Sequence, residues 1–286
     1  MLNYHNPIVT QDNCILSIDN VVIDFTLTDF DDCKELMAFL RSWSNANVRN
    51  WTVCSIGKYR EQFRIELVDG SSFWLGIGLN AARTNWSRCR IEFNPNKVAK
   101  HNAFQEILNY LIAKTACSQR VIKRFDLAID IPVKRENFFL AKDGRIYREI
   151  ARGKSRTQYL GQVSKHGYTR LYNKQYESNL PRPLTRLELT LDPAVPYEKI
   201  RFPSVTYLED LQMVFDELKI TDTERFILKS LIHGVGALDE LGRRKRQKME
   251  TLLNHYVRRV EVSQTDYFAI LAQLHSYIDE ASQLAA

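Results

Sequence analysis

Apolar and polar residues alternate in short runs through roughly the first two thirds of the chain. Alternation with period two is the mark of half-buried strands. Residues 15–27, ILSIDNVVIDFTL, read as a strand. TDFDDCKELMAFLRSW then shifts to helical spacing, with Thr28 and Asp31 at its start and Phe30, Cys33, Met37, Leu40 and Trp43 on one stripe. Strand runs follow at WTVCSIG, QFRIELV, SFWLGIG and RCRIEF. The turn DGS at 69–71 joins the second and third as a hairpin. HNAFQEILNYLIAKTA reads as a helix with Asn102 as cap and an apolar face of Phe104, Ile107, Leu108, Leu111 and Ile112.

The pattern then starts again. VIKRFDLAIDIPV reads as a strand ended by Pro132, RENFFLAKDG as a segment holding a short helix, and GRIYREIA, TQYLGQV, YTRLYNK and LTRLELTLD as strands. The two halves echo one another: SIDNVVID with RFDLAIDI, FWLGIG with QYLGQV, and RCRIEFNPNK with both YTRLYNKQ and TRLELTLD. The pattern predicts an α+β fold in which two tandem strand–helix–multistrand units share one antiparallel-rich sheet. A proline-rich stretch, DPAVPYEKIRFPSV, precedes four helix-like runs, each opening near Ser, Thr or Asp. The predicted organisation is residues 1–118 and 119–195 as the two halves of one α+β domain, and 196–286 as an all-helical module.

Composition narrows the setting. There are 40 Lys and Arg against 34 Asp and Glu, a net charge of +6, which suits a polyanionic partner. The five cysteines, Cys14, Cys33, Cys54, Cys89 and Cys117, form no CxxC pair, as expected for reduced thiols in a cytoplasmic protein. No basic-then-apolar leader opens the sequence, and no apolar run approaches the ~20 residues a membrane span requires.

Alternation also says which side chains travel together. In RFDLAIDI, Phe125, Leu127, Ile129 and Ile131 share one face, while Arg124, Asp126, Ala128 and Asp130 share the other. Leu187, Leu189 and Leu191 oppose Arg186, Glu188 and Thr190 in the same way. In YTRLYNK, Arg170, Tyr172 and Lys174 face away from Thr169, Leu171 and Asn173. Neighbouring strands of this design would gather Asp126, Asp130 and Glu188 with Tyr172 and three cations, Arg170, Lys174 and Arg186. Carboxylate oxygens are the ligands Mg²⁺ or Mn²⁺ prefers, and such an ion polarises a phosphodiester. Tyrosine acts as a covalent nucleophile when its proton can be removed, and adjacent cations would favour phenolate and hold a phosphate. The bland alternative is a strand with one solvated face. Tyr159, Tyr168 and Tyr176 compete with Tyr172, and Glu92, which stands in RCRIEF where Glu188 stands in the second half, reads either as a further ligand or as a surface glutamate.

Other chemistries find no motif. HxH, HExxH, paired CxxC and GxxxxGK[ST] are all absent, and GIGLNAAR has too few glycines for a dinucleotide fingerprint. His166 in SKHG reads as a turn residue or a phosphate contact. In GRRKRQK, Arg243, Arg244, Lys245, Arg246 and Lys248 open a helix-like run that suits either DNA phosphates or open solvent.

The ordered set RFDLAID, TQYLGQVSKHGYTRLYNKQYE and TRLELTL resembles the core of rolling-circle replication initiators of Gram-positive plasmids, with relatives among phage initiators and conjugative-element relaxases. The resembling pattern is R-x-D-x-x-x-D, Y-[LI]-G, R-[LIV]-Y-[ND]-K and R-[LIV]-E, all within 124–191; the likeness spans roughly 15–195. It implies site-specific nicking of origin DNA through a tyrosine–5′-phosphate intermediate. Tyr172 would be the nucleophile, Asp126, Glu188 and Asp130 the ligands of Mg²⁺ or Mn²⁺, and Arg170, Lys174 and Arg186 the phosphate holders. Partners would be double- and single-stranded origin DNA, a host helicase and a second copy of the chain. The histidine pair of better-known nickases is missing, which singles out the plasmid group within this resemblance. The competing expectations are a DNA-binding initiation factor that does not cleave, a conjugative relaxase, and a small-molecule phosphodiesterase using the same carboxylates.

Overall fold

The computed structural model describes residues 7–10, 14–27, 30–43, 48–53, 59–79, 87–152, 155–208, 220–232 and 235–279. In chain order they form β1 (Ile8–Val9), β2 (Ile15–Thr26), α1 (Phe30–Trp43), β3 (Val48–Val53), β4 (Tyr59–Leu67), β5 (Ser72–Leu79), β6 (Arg88–Phe93), α2 (Pro95–Val98) and α3 (Asn102–Ala113). There follow β7 (Arg120–Ile131), β8 (Phe138–Leu140), β9 (Tyr147–Arg152), β10 (Ser155–Leu160), β11 (Tyr168–Asn173), α4 (Lys174–Ser178) and β12 (Thr185–Leu191). The last elements are β13 (Val205–Leu208), α5 (Asp222–Ile232), α6 (Arg243–Tyr256), β14 (Val257–Arg259) and α7 (Gln264–His275).

Eleven of the described strands make one sheet in the order β3-β4-β5-β6-β2-β7-β12-β11-β10-β9, with β1 on β2, and every pairing is antiparallel. The order is its own mirror about the β2–β7 pair. Each half begins with a long central strand, pairs it with the last strand of that half, and works outward to the edge. This is the predicted α+β architecture with two related units in one sheet. The register refines the sequence echoes. SIDNVVID and RFDLAIDI do lie on equivalent strands, but β2 carries a bulge between Ile18 and Asn20, so Asp24 rather than Ile23 matches Asp130. RCRIEF matches TRLEL. FWLGIG belongs to β5, whose counterpart is β11, so its echo with TQYLGQV does not correspond to position in the sheet.

One face of the sheet is buried under α1, α3 and α7. Leu36 and Leu40 of α1, the five predicted apolar residues of α3, and Tyr267, Ile270 and Leu274 of α7 join Leu127, Ile129, Leu187 and Leu189 in one core. Phe104 packs edge-on to Phe73 and against Phe93, and Tyr277 packs edge-on to Phe93. Each such fully buried side chain contributes about 1.5–3 kcal/mol. The DGS hairpin forms as read, with Gly70 at φ +83 and Asp69 accepting from the Ser71 amide at 2.9 Å. Thr28, Cys54 and the 209–219 part of the expected helix TYLEDLQMVFDELKI lie outside the described residues, as do the side chains of Phe30 and Trp43. Cys89 and Cys117 are free thiols.

RENFFLAKDG holds the short helix expected of it, a single 3-10 turn at 135–137, and then an unexpected strand, β8. Phe138 stacks on Tyr207 at 4.9 Å, and β8 pairs with β13, whose other edge pairs with β14, in a second, three-stranded sheet. Val205–Leu208 is the central strand of that sheet, although the expected proline-rich linker ends at Val205 and the expected helix opens at Thr206. The β-branched and aromatic residues of VTYL find a cross-strand partner, which outweighs helical spacing. The helices of the tail divide by their packing: α7 docks on the main core, whereas α5 and α6 share a small cluster of their own around Leu228, Met249 and Leu252.

Gly76 shows how tightly the first half is closed. A Cβ there would lie 2.4 Å from the Trp74 ring and 2.7 Å from Cγ of the buried Tyr59. Gly76→Ala is therefore expected to cost about 1–3 kcal/mol through overpacking, measured by urea unfolding.

Candidate active site

The face opposite the helices carries the predicted polar set, and the register places it in rows. Asp130, Arg186 and Tyr172 are cross-strand neighbours on β7, β12 and β11. The next row runs Ala128, Glu188, Arg170, and the third runs Asp126, Thr190, Tyr168. A cleft of about 360 Å³ lies along this face, lined by Asp19, Glu92, Asp126, Arg170, Glu188 and Thr190 among others.

Tyr172 is 6% exposed, and its phenol donates to Glu188 Oε1 at 2.5 Å. Arg170 donates to the other oxygen, Oε2, of the same carboxylate. The Arg170 guanidinium lies 5.1 Å from the centre of the Tyr172 ring, and Lys174 Nζ lies 5.8 Å from it. Burial pushes the Tyr172 phenol far above its ordinary range, and the charge and hydrogen bond of Glu188 push it the same way. This corrects the expectation that the flanking cations hold phenolate. At rest the proton stays on the phenol, and the residue placed to take it is Glu188. Burial also raises the Glu188 carboxyl, against the opposing pull of Arg170 and of the phenol, which makes it a stronger base than a solvated glutamate.

Asp126 is half-buried, and burial raises it too, although Thr190 donates to its Oδ1 at 2.6 Å. Asp130 is differently placed. Arg186 donates from Nε to Oδ1 and from Nη2 to Oδ2, both at 2.6 Å, and from Nη1 to Asp19 at 2.9 Å. With both oxygens engaged by a buried guanidinium, Asp130 is withdrawn from the ligand set, and Arg186, spent on two carboxylates, is withdrawn from the phosphate holders. Breaking such a buried pair would leave an uncompensated charge. Lys174 pairs with Glu177 at 2.6 Å at the start of α4. Arg170, with 40% of its side chain exposed beside the cleft, is the phosphate contact of the predicted three that the geometry leaves most open.

The first half repeats the brace. Arg90 donates from Nε and Nη2 to the two oxygens of Asp24 at 2.5 and 2.8 Å, as Arg186 does to Asp130. Where the second half has Tyr172 opposite Arg186, the first has Gly76 opposite Arg90. The tyrosine–carboxylate pair is thus particular to one half. Glu92, the counterpart of Glu188, accepts from Asn20 at 2.9 Å and from Arg124 at 3.0 Å and faces the shared cleft.

Sequence reasoning missed Asp19. It sits on the β2 bulge, accepts from Asn94 at 3.0 Å as well as from Arg186, and lines the cleft beside Glu92. The signal was present: DNVV sets two polar residues before two apolar ones and so breaks the alternation. His166 is a turn residue whose Nδ1 accepts from the Asp192 amide at 3.1 Å. Tyr176 stands 63% exposed on α4, away from any such partner as Glu188 gives Tyr172.

Among the described residues no three His, Cys, Asp or Glu side chains are gathered closely enough to cage a metal unaided. Magnesium sites commonly use one or two carboxylates and take their remaining oxygens from water and substrate phosphate. Asp126, desolvated and facing the cleft, fits that oxygen-only donor set, because a cation relieves what burial now opposes, whereas Glu188, like Asp130, gives both oxygens to protein donors.

On α6, Arg243, Arg244 and Lys245 are exposed, with no acidic residue in the first turn. Three cations there oppose the helix dipole. Arg246 is drawn inward instead, donating to the carbonyls of Leu238 and Asp239 at 2.9 and 3.0 Å, and Lys248 ties α6 to Glu224 of α5 at 2.7 Å.

No helix among the described residues is long and apolar enough to cross a membrane. No family model matches the chain, and neither does any curated protein. Among solved structures, the rolling circle replication initiator protein from Geobacillus stearothermophilus aligns over 88% of this chain and 89% of that one, with 13% identity and a TM-score of 0.37. Agreement of that size leaves the case to this chain's own residues.

Proposed function

We propose that this protein nicks and rejoins one strand of DNA through a covalent Tyr172–5′-phosphate intermediate, the reaction that initiates rolling-circle replication. The observation that carries the reading is the 2.5 Å hydrogen bond from a buried tyrosine to a buried glutamate that, with Arg170, lines a carboxylate-rich cleft. Tyr172 Oη attacks phosphorus as its proton passes to Glu188. The new Tyr–O–P bond replaces the P–O3′ bond, and the 3′ oxygen leaves as a hydroxyl after taking up a proton. One phosphodiester is exchanged for another, so the reverse step rejoins the strand. Arg170 stabilises the charge gathering on the phosphate oxygens. Asp126, with phosphate oxygens and water, would hold Mg²⁺ or Mn²⁺, which when bound polarises the phosphodiester. Arg243, Arg244 and Lys245 would hold duplex phosphates beside the origin.

The test is incubation of the full chain with random-sequence single strands, and with supercoiled DNA carrying its neighbouring genomic segments, in Mg²⁺ or Mn²⁺. A covalent adduct mapped by mass spectrometry to Tyr172 supports the reading. Absence of any adduct, or one mapped to another tyrosine, overturns it.

A pH dependence follows from the raised carboxyl. Glu188 must be ionised to accept the proton, so adduct formation should fall on acidification with an apparent pKa above 4.5, the ordinary glutamate value. Because the phenol is also raised, no gain from free phenolate is expected near 10, its ordinary value. Single-turnover rates measured across pH check both limbs.

A further inference from the structure

Beside the tyrosine–glutamate pair, the outer strands of the second half carry a feature that strand transfer itself does not use. The row through Glu188 and Arg170 continues across β10 and β9 as Tyr159 and Arg148. Tyr159 and Tyr168 lie side by side with ring centres 6.3 Å apart and planes within 20°. The Arg148 guanidinium lies 4.7 Å from the centre of the Tyr159 ring. Tyr159 is half-exposed and Arg148 exposed. Val163, 63% exposed, overhangs the same cleft from the β10–β11 loop. That loop is held in place: Arg145 donates to the Gly167 carbonyl at 2.6 Å, and the Gly167 amide donates to Thr190 at 2.8 Å.

The fold does not require this arrangement. The corresponding row of the first half reads Glu92, Trp74, Arg64, Thr52, so the positions of Tyr159 and Arg148 are there an arginine and a threonine. The half-exposed Tyr159 ring, backed by the buried Tyr168 and flanked by a planar cation, offers a flat π surface and positive charge, the two elements that hold unpaired bases without reading their sequence. A strand spacing of about 4.8 Å and a rise of about 3.4 Å per residue put Tyr159 roughly 8 Å from Tyr172 across the sheet. That is the reach of a nucleotide next to the scissile phosphate.

We propose that Tyr159, Tyr168 and Arg148 form a stacking platform for an unpaired base flanking the cleaved phosphate, so that the substrate engages as a single strand. The proposal rests on the strand-transfer reading for its substrate, but its test reads binding alone. A short mixed-sequence single strand carrying a fluorescent adenine analogue is titrated into the full-length Tyr172→Phe protein without metal. Stacking quenches the analogue. Adding Tyr159→Leu is expected to weaken single-strand affinity about tenfold and abolish the quench, whereas Tyr159→Phe stays within about twofold. Arg148→Ala, at an exposed position that does not threaten folding, should lower the salt slope by about 0.7. Unchanged affinity in both Tyr159→Leu and Arg148→Ala overturns the platform, as does an equal loss for a duplex of the same length, which would mark a phosphate contact only. Failure of the strand-transfer reading shows separately, as wild-type protein that binds and quenches the single strand but never forms an adduct.

Discussion

Tyr172→Phe is expected to abolish the covalent protein–DNA adduct, a loss of roughly 10⁴-fold or more, because the attacking oxygen is gone and no neighbour replaces it. Phenylalanine keeps the ring that lies near Arg170 and Lys174, so the packing of this face survives. The change leaves Glu188 Oε1 without its 2.5 Å donor, a buried acceptor deprived of one partner, which costs about 1–3 kcal/mol. Arg170 still holds the other oxygen. The variant should therefore fold, bind single-stranded DNA as the wild type does, and form no adduct on denaturing gels. Tyr168 stands on the same strand and face but lies beside Thr190, with no carboxylate opposite it. An adduct persisting in Tyr172→Phe would move the chemistry to another tyrosine and sink the assignment.

Glu188→Gln is expected to slow adduct formation by about 10²–10⁴-fold, the usual contribution of a positioned base. The amide keeps the shape of the carboxylate but cannot take the phenol's proton. Two readouts separate this from simple damage. The acid limb of the rate profile should vanish, because the group that titrates there is gone. Stability should change with pH in a stated direction. The folded-state pKa of Glu188 is raised, so the folded state binds its proton more tightly than the unfolded state does. Wild-type stability therefore declines as pH rises from about the ordinary 4.5 through the raised value, and levels off above it. Glu188→Gln lacks that part of the decline, so urea unfolding across pH should give a shallower curve than wild type. A rate within about threefold of wild type would remove Glu188 from the proton path.

Much of this molecule was legible because strand alternation is a local property. Phe125, Leu127, Ile129 and Ile131, and Leu187, Leu189 and Leu191, are all in the main core, as period two requires. The apolar face of α3 is buried at every predicted position, and the two-unit plan is present in the sheet order. Failures fell where a partner distant in sequence decides. VTYL became a strand because β8 and β14 offered edges, and RENFFLAKDG supplied one of them. The bulge at Asp19 moved the match between halves by one residue, which no straight alignment of β2 with β7 reveals.

The candidate site divides along the same line. Residue type and spacing by themselves settled which side chains can share a face: Asp126 with Asp130, Arg186 with Glu188, Arg170 with Tyr172. They do so because successive Cβ atoms of a strand point to opposite sides. Pairing across strands decided what each of those side chains does. Arg186 met Asp130 and Asp19 and became a brace, whereas Glu188 met Tyr172 and accepts its hydrogen bond. Burial then decided protonation, holding the proton on the phenol where sequence neighbours alone argued for phenolate. Cross-strand register and desolvation belong to the assembled sheet, since both depend on atoms brought near from elsewhere in the chain.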